Sequence, residues 1–118
     1  MEIELLGKFN NIAYVRSETP ILRDADSALD LIFNVRYTTK CGRIILDKSA
    51  VSDDFFVLST RIAGDVLQKF VNYRMKLAIV GDFSQYSSRP LKDFIYESNS
   101  GRDFFFVGTL DEAIGRLN

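Results

Sequence analysis

Apolar and polar positions switch between a two-residue and a helical period along the chain, and the switches mark out nine elements. "IELLGKFNNIAYVR" reads as two short strands around a turn at Lys8 to Asn11, with alternation through Ile12, Tyr14 and Arg16. "DADSALDLIFNVRYT" places Ala28, Leu31, Ile32 and Val35 on one helical face, with Asp24 as N-cap. "RIILD", "KLAIVGD" and "DFFFVG" are short and continuously apolar, as strands covered on both sides are. Between the first two of these, Phe55, Leu58, Ile62, Val66 and Phe70 form a stripe that predicts the longest helix over Asp53 to Tyr73. Ser52 precedes it as N-cap, with Asp53 and Asp54 in the first turn, against the positive end of the helix dipole. "SSRPLKDFIYESNSG" is a helix with Ser88 as an ordinary cap, Pro90 in its first turn and Gly101 as its stop. "TLDEAIGRL" is the last helix, and Thr109 and Glu112 have the spacing of a capping box. The order β-β-α-β-α-β-α-β-α predicts a single α/β domain over 1–118. Its sheet is mixed but mostly parallel, its crossovers are right-handed, and the N-terminal hairpin supplies an edge.

Composition narrows the chemistry. At 118 residues, with 47% apolar and 26% charged residues, the chain has enough material for one core. There is no histidine, which removes the Ser-His-Asp triad, the Cys-His pair and most catalytic zinc sites. The single cysteine, Cys41, permits no intrachain disulfide and reads as a small hydrophobe near a strand start. Net charge is −1 and the basic residues are scattered, so no nucleic-acid partner is expected. "MEIELLGKFN" has no basic segment followed by a long apolar run, so it does not read as a signal peptide. No apolar run reaches the length of a membrane span. A cytoplasmic protein with no membrane partner, no cofactor and no bound metal is expected.

Topology places any site. Ligands of parallel α/β sheets gather beyond the carboxyl ends of the strands. Those exits are Asp47-Lys48-Ser49, Gly81-Asp82-Phe83-Ser84 and Gly108-Thr109, with Asp53 and Asp54 nearby. The candidate binding residues are therefore Lys48, Ser49, Ser52, Asp53, Asp54, Phe83, Ser84 and Arg89. Exposed rings at Phe55, Phe56 or Phe83 would anchor a protein contact, although the burial stripe already claims Phe55 for the core. One alternative is a small-molecule or anion binder using the loop from Asp82 to Arg89, which lacks the spacing of a phosphate loop. A remoter one is a carboxylate-dependent hydrolase, magnesium-assisted through Asp47, Asp53, Asp54 and Asp82. Phosphorylation of Ser49 or Ser52 is a third, opposed by the neighbouring aspartates.

The order of elements, closest from "RIILD" through "RLN", resembles the sulfate transporter and anti-sigma factor antagonist (STAS) domain. More specifically, "SALDLIFNVRY", "FVNYRMKLAIVGDFS" and "LKDFIYESNSGRDFFFV" resemble a small bacterial family known as a domain of unknown function, number four-one-eight-zero. That second resemblance spans essentially the whole chain. It implies a free-standing bacterial cytoplasmic protein and transfers no catalytic residue. The STAS resemblance implies a non-enzymatic module that binds a kinase or another regulatory protein. Antagonists of that kind are switched at a serine in an Asp-Ser-Ser/Thr-Gly turn. The corresponding residues here are Asp53-Asp54-Phe55-Phe56, with neither serine nor glycine. The resemblance thus implies a regulatory protein-binding module without the phospho-serine switch. A protein partner is expected, with self-association into a homodimer as a further expectation.

Overall fold

Five strands order themselves β1-β2-β3-β4-β5 in one sheet of the computed structural model, which describes residues 1–118. They are β1 (Glu2–Leu6), β2 (Ile12–Arg16), β3 (Arg43–Asp47), β4 (Lys76–Val80) and β5 (Phe104–Val107). β1 pairs antiparallel with β2, and β2 to β5 are all parallel. The hairpin turn closes through Gly7 at φ +91° and Asn10 at φ 53°, left-handed values suited to glycine and asparagine. The helices are α1 (Ala25–Thr39), α2 (Ile62–Asn72), α3 (Arg89–Ser100) and α4 (Leu110–Leu117).

Strand alternation sends successive side chains to opposite faces. One face carries Ala13, Val15, Ile44, Leu46, Leu77, Ile79 and Phe106, which pack with α1, α2 and Leu91 of α3 into the larger core. The other carries Ile12, Ile45, Ala78, Phe105 and Val107 beneath Ala113 and Leu117 of α4. Covering on both faces explains why β3, β4 and β5 read as unbroken apolar runs. Since α4 spans only 8 residues, the β1–β2 side of its face stays polar and open, at Glu2, Glu4 and Arg16.

Three of the four helix starts match the expected caps. Asp24 accepts from the Ser27 amide at 2.8 Å, Ser88 from Leu91 at 3.4 Å and Thr109 from Glu112 at 3.1 Å. Glu112 reaches the amide of Gly108 rather than that of Thr109, so the expected capping box closes one residue early. Gly101 ends α3 as expected.

The predicted helix from Asp53 to Tyr73 is corrected. Its first part is two short 3-10 turns, Asp53–Phe56 and Leu58–Thr60, with a third at Lys48–Ala50 just ahead of it, and only Ile62–Asn72 is α-helical. Val57 is extended and Arg61 sits at φ 65°, and neither conformation continues an α-helix. The Thr60 hydroxyl secures the break by donating towards the carbonyls of Asp54 and Val57 and accepting from the Ile62 amide. The longest helix is α1, with 15 residues. Apolar spacing could not reveal the break, because a 3-10 turn followed by a helix satisfies the same stripe.

Candidate functional site

The backbone leaving β3 does not rise straight into a helix. It runs along the carboxyl edge of the sheet and is tied there by the loop that precedes α1. Ile21 and Leu22 donate to the Ala50 carbonyl at 2.8 and 3.1 Å, and Ser52 donates back to Leu22 at 2.9 Å. This short parallel bridge, Leu22 to Val51, holds Lys48 to Ser52 in place as a fixed wall. Ser52 then caps the following 3-10 turn through the Asp54 amide at 3.3 Å, so Asp53 and Asp54 start that turn and not α2.

Five of the eight expected residues, Lys48, Ser49, Ser52, Asp53 and Asp54, line one open concavity of about 600 Å³, closed at its far side by Pro20 and Val51. Asp53 also lines an adjoining groove of about 450 Å³ with Phe56, Val57, Tyr86, Ser88 and Leu91. The two depressions thus meet at one exposed carboxylate, and neither Asp53 nor Asp54 is ion-paired.

Lys48 connects the walls. Its chain crosses Gly81 and places its ammonium 4.9 Å from the Tyr86 ring centre and 5.8 Å from that of Phe56. Tyr86 in turn stacks on Phe56, with centroids 5.3 Å apart and planes at 19°. Only glycine admits this path, because a Cβ at position 81 would stand 2.6 Å from the Lys48 Cβ. Gly81→Ala is therefore expected to lower stability by about 1–3 kcal/mol through overpacking, read as a shift of the urea midpoint. An unshifted midpoint would contradict the packing.

The other three expected residues stand apart from the concavity. Phe83 is half-buried and packs on Phe56 and Phe106, with centroids at 5.8 and 5.6 Å. Ser84 is bound to Asp82, whose carboxylate accepts from its hydroxyl at 2.6 Å and its amide at 2.9 Å. These bonds hold the Asp82 carboxyl below its usual range, the hydroxyl contributing most. Arg89 is exposed and reaches Asp93 at 4.0 Å. The Asp82 carboxylate and the Ser84 hydroxyl in this loop are thus bonded to each other. Of the three rings considered as anchors, Phe55 and Phe56 are core residues.

The four aspartates of the magnesium reading do not converge on one point, although Asp53 and Asp54 are neighbours in one concavity. No three acidic side chains converge, and Asp47 points to the opposite sheet face, where both its oxygens accept from the Tyr14 hydroxyl at 2.9 and 2.8 Å. Tyr14 faces Ile45 in the register, so Asp47 lies diagonally across from it on the same face. Burial, then the Asp47 hydrogen bond and charge, push the Tyr14 hydroxyl up to about 12 from 10.0, with nearby Arg16 opposing. The folded chain thus keeps a proton that the unfolded chain gives up near pH 10. Stability due to this pair is complete below pH 10 and is lost as pH rises to about 12. In Tyr14→Phe the loss of stability over that window is expected to be shallower, and the tyrosinate absorbance titration should lack its phase near 12. Equal alkaline slopes in the two proteins would contradict this.

Tyr86, which with Phe56 forms the floor beneath Lys48, is the site residue that sequence reasoning missed. Tyr86 lies among hydroxyl residues in "FSQYSSRP", where no period marks it. Strand parity and adjacent exits did carry a signal for Tyr14 and Asp47.

No curated protein and no solved structure is significantly similar to the chain. The family model described as domain of unknown function (DUF4180) matches residues 8–117, nearly the whole length, and so the chain belongs to the DUF4180 family.

Proposed function

We propose that the chain is a non-enzymatic, cytoplasmic regulatory module that receives a protein partner on its carboxyl edge. The observation that carries this reading is the meeting of two open depressions at the unpaired Asp53, one polar and one floored by Phe56, Val57, Tyr86 and Leu91. A partner segment with an apolar side chain and a cation beside it would fill both. The apolar contact passes to Val57, which is exposed, and to half-buried Tyr86, since Phe55 and Phe56 serve the core. Apolar contact gives such a surface its affinity, and the unpaired carboxylates steer the encounter. The STAS resemblance supports the regulatory reading. By that resemblance the switch serine's place falls to Asp53 and Asp54, which carry permanent charge in a 3-10 turn ahead of α2.

The test is affinity purification from the source lysate with the wild-type chain and with Asp53→Ala/Asp54→Ala as baits. A stoichiometric partner recovered by the first and reduced at least about tenfold with the second is expected, as for loss of charged contacts worth about 1.4 kcal/mol or more. A partner retained equally by both baits, the second shown to be folded by circular dichroism, would move the binding surface elsewhere.

A further inference from the structure

Folding gathers charges that the linear sequence scatters. The amino ends of the parallel strands form the edge opposite to the candidate site, and its loops follow one another in a row. The Cys41 thiol contacts the Asn10 carbonyl at 3.6 Å, the Lys76 amide donates to Gly42 at 3.0 Å and the Leu77 amide donates to Asp103 at 2.9 Å. Along this row stand Lys8, Lys40, Arg43, Arg74, Lys76 and Arg102. Only Lys76 among them is ion-paired, to Asp103 at 3.9 Å. The Arg43 Nε is buried without a partner.

Part of the positive charge has a structural reason. All four helices end at this edge, and Arg36, Lys69 and Arg116 lie in the last turns of α1, α2 and α4, where they offset the negative helix ends. That account extends to Lys40, the C-cap of α1, but not to the other five loop and strand-start residues. Nine bases face only Glu97 and Asp103 here. Four helix ends remove about two further charges at roughly half a charge each, which leaves an excess of about +5.

Exposed rings interleave with these cations. Phe9 is 75% exposed at the hairpin, with the Lys8 ammonium 5.6 Å from its ring centre. Tyr37 is 89% exposed one turn before Lys40. Tyr73 precedes Arg74, accepts from Arg36 through its carbonyl and meets Phe33 edge-to-face at 5.1 Å.

We propose that this amino edge binds single-stranded nucleic acid, the cations on phosphates and the exposed rings against unpaired bases. Cations alone would suit any polyanion. Separated, exposed aromatic faces between them suit unstacked bases, which a duplex hides. The surface is distinct from the candidate partner site, and neither proposal depends on the other.

The test follows the fluorescence anisotropy of labelled oligouridine and oligothymidine of roughly 12 nucleotides with the full chain. Saturable binding at about 50 mM salt, weaker at about 200 mM, is expected. Lys8→Glu/Lys40→Glu/Arg102→Glu should weaken it at least about tenfold and lower the logarithmic salt slope by roughly 2. Tyr37→Ala should weaken it with an unchanged slope, roughly fivefold or more for one lost stacking contact. Asp53→Ala/Asp54→Ala on the opposite edge should not weaken it. Tighter oligouridine assigns RNA as the ligand and tighter oligothymidine assigns DNA, and either supports the proposal. No saturable binding at the lower salt would overturn it. So would full affinity in the triple variant with native circular dichroism, or binding to phosphatidylserine vesicles without binding to either oligonucleotide.

Discussion

Phe55→Ala is expected to lower the free energy of unfolding by about 3–5 kcal/mol, measured by urea denaturation. The ring is completely buried although it sits in a short 3-10 turn. It packs against Phe56 at 5.0 Å and Phe106 at 6.3 Å, and Phe56 meets Phe83, Tyr86 and Phe106 in turn. Truncation removes the transfer free energy of the ring and leaves a cavity between its own turn and β5, whose collapse the surrounding core limits. Native domains have only about 5–15 kcal/mol in total, so the loss is a large fraction. The same turn carries Asp53 and Asp54, so packing beneath them also sets the shape of the candidate site. A loss below about 1 kcal/mol would place this position among ordinary surface sites and contradict the packing.

Asn99→Ala is expected to destabilise by about 2–3 kcal/mol and to induce aggregation. β5 is an edge strand, and an open edge invites pairing with another chain. The Asn99 side chain, near the end of α3, stands in for a neighbouring strand. Its Oδ1 accepts from the Phe106 amide at 2.7 Å and its Nδ2 donates to the Phe106 carbonyl at 3.1 Å. Its own carbonyl accepts from Arg116 at 2.7 Å, which ties α4 to the same point. Alanine leaves both Phe106 groups without partners and opens the edge of "FFFV". Urea denaturation reads the first effect, and light scattering during mild heating reads the second. A variant with wild-type midpoint and scattering would show that water or neighbouring chain replaces the cover.

Features that depend on local chemistry were legible in the sequence. Asp24, Ser88 and Thr109 cap where a hydroxyl or carboxylate precedes an apolar period, and β3, β4 and β5 announce themselves by unbroken apolar runs. The mixed sheet and the position of Lys48 to Asp54 at its carboxyl edge followed from element order alone. What stayed hidden depends on contacts distant in sequence. The 3-10 path from Lys48 to Thr60 rests on a backbone bridge to Leu22 and on the Thr60 hydroxyl. Phe83 lay at a strand exit, yet a neighbouring cluster of rings draws it inward. Tyr14 meets Asp47 across 33 positions, and the basic row is assembled from four separate loops.

The most direct test of the carboxyl-edge account is photo-crosslinking in cells of the source organism. A photoreactive residue would replace Ser49 or Gln85, which border the two depressions, or Gln68 on the exposed side of α2. The account predicts the same discrete adduct from positions 49 and 85 and none from position 68. An adduct from position 68 alone, or none from any position in a folded protein, would contradict it.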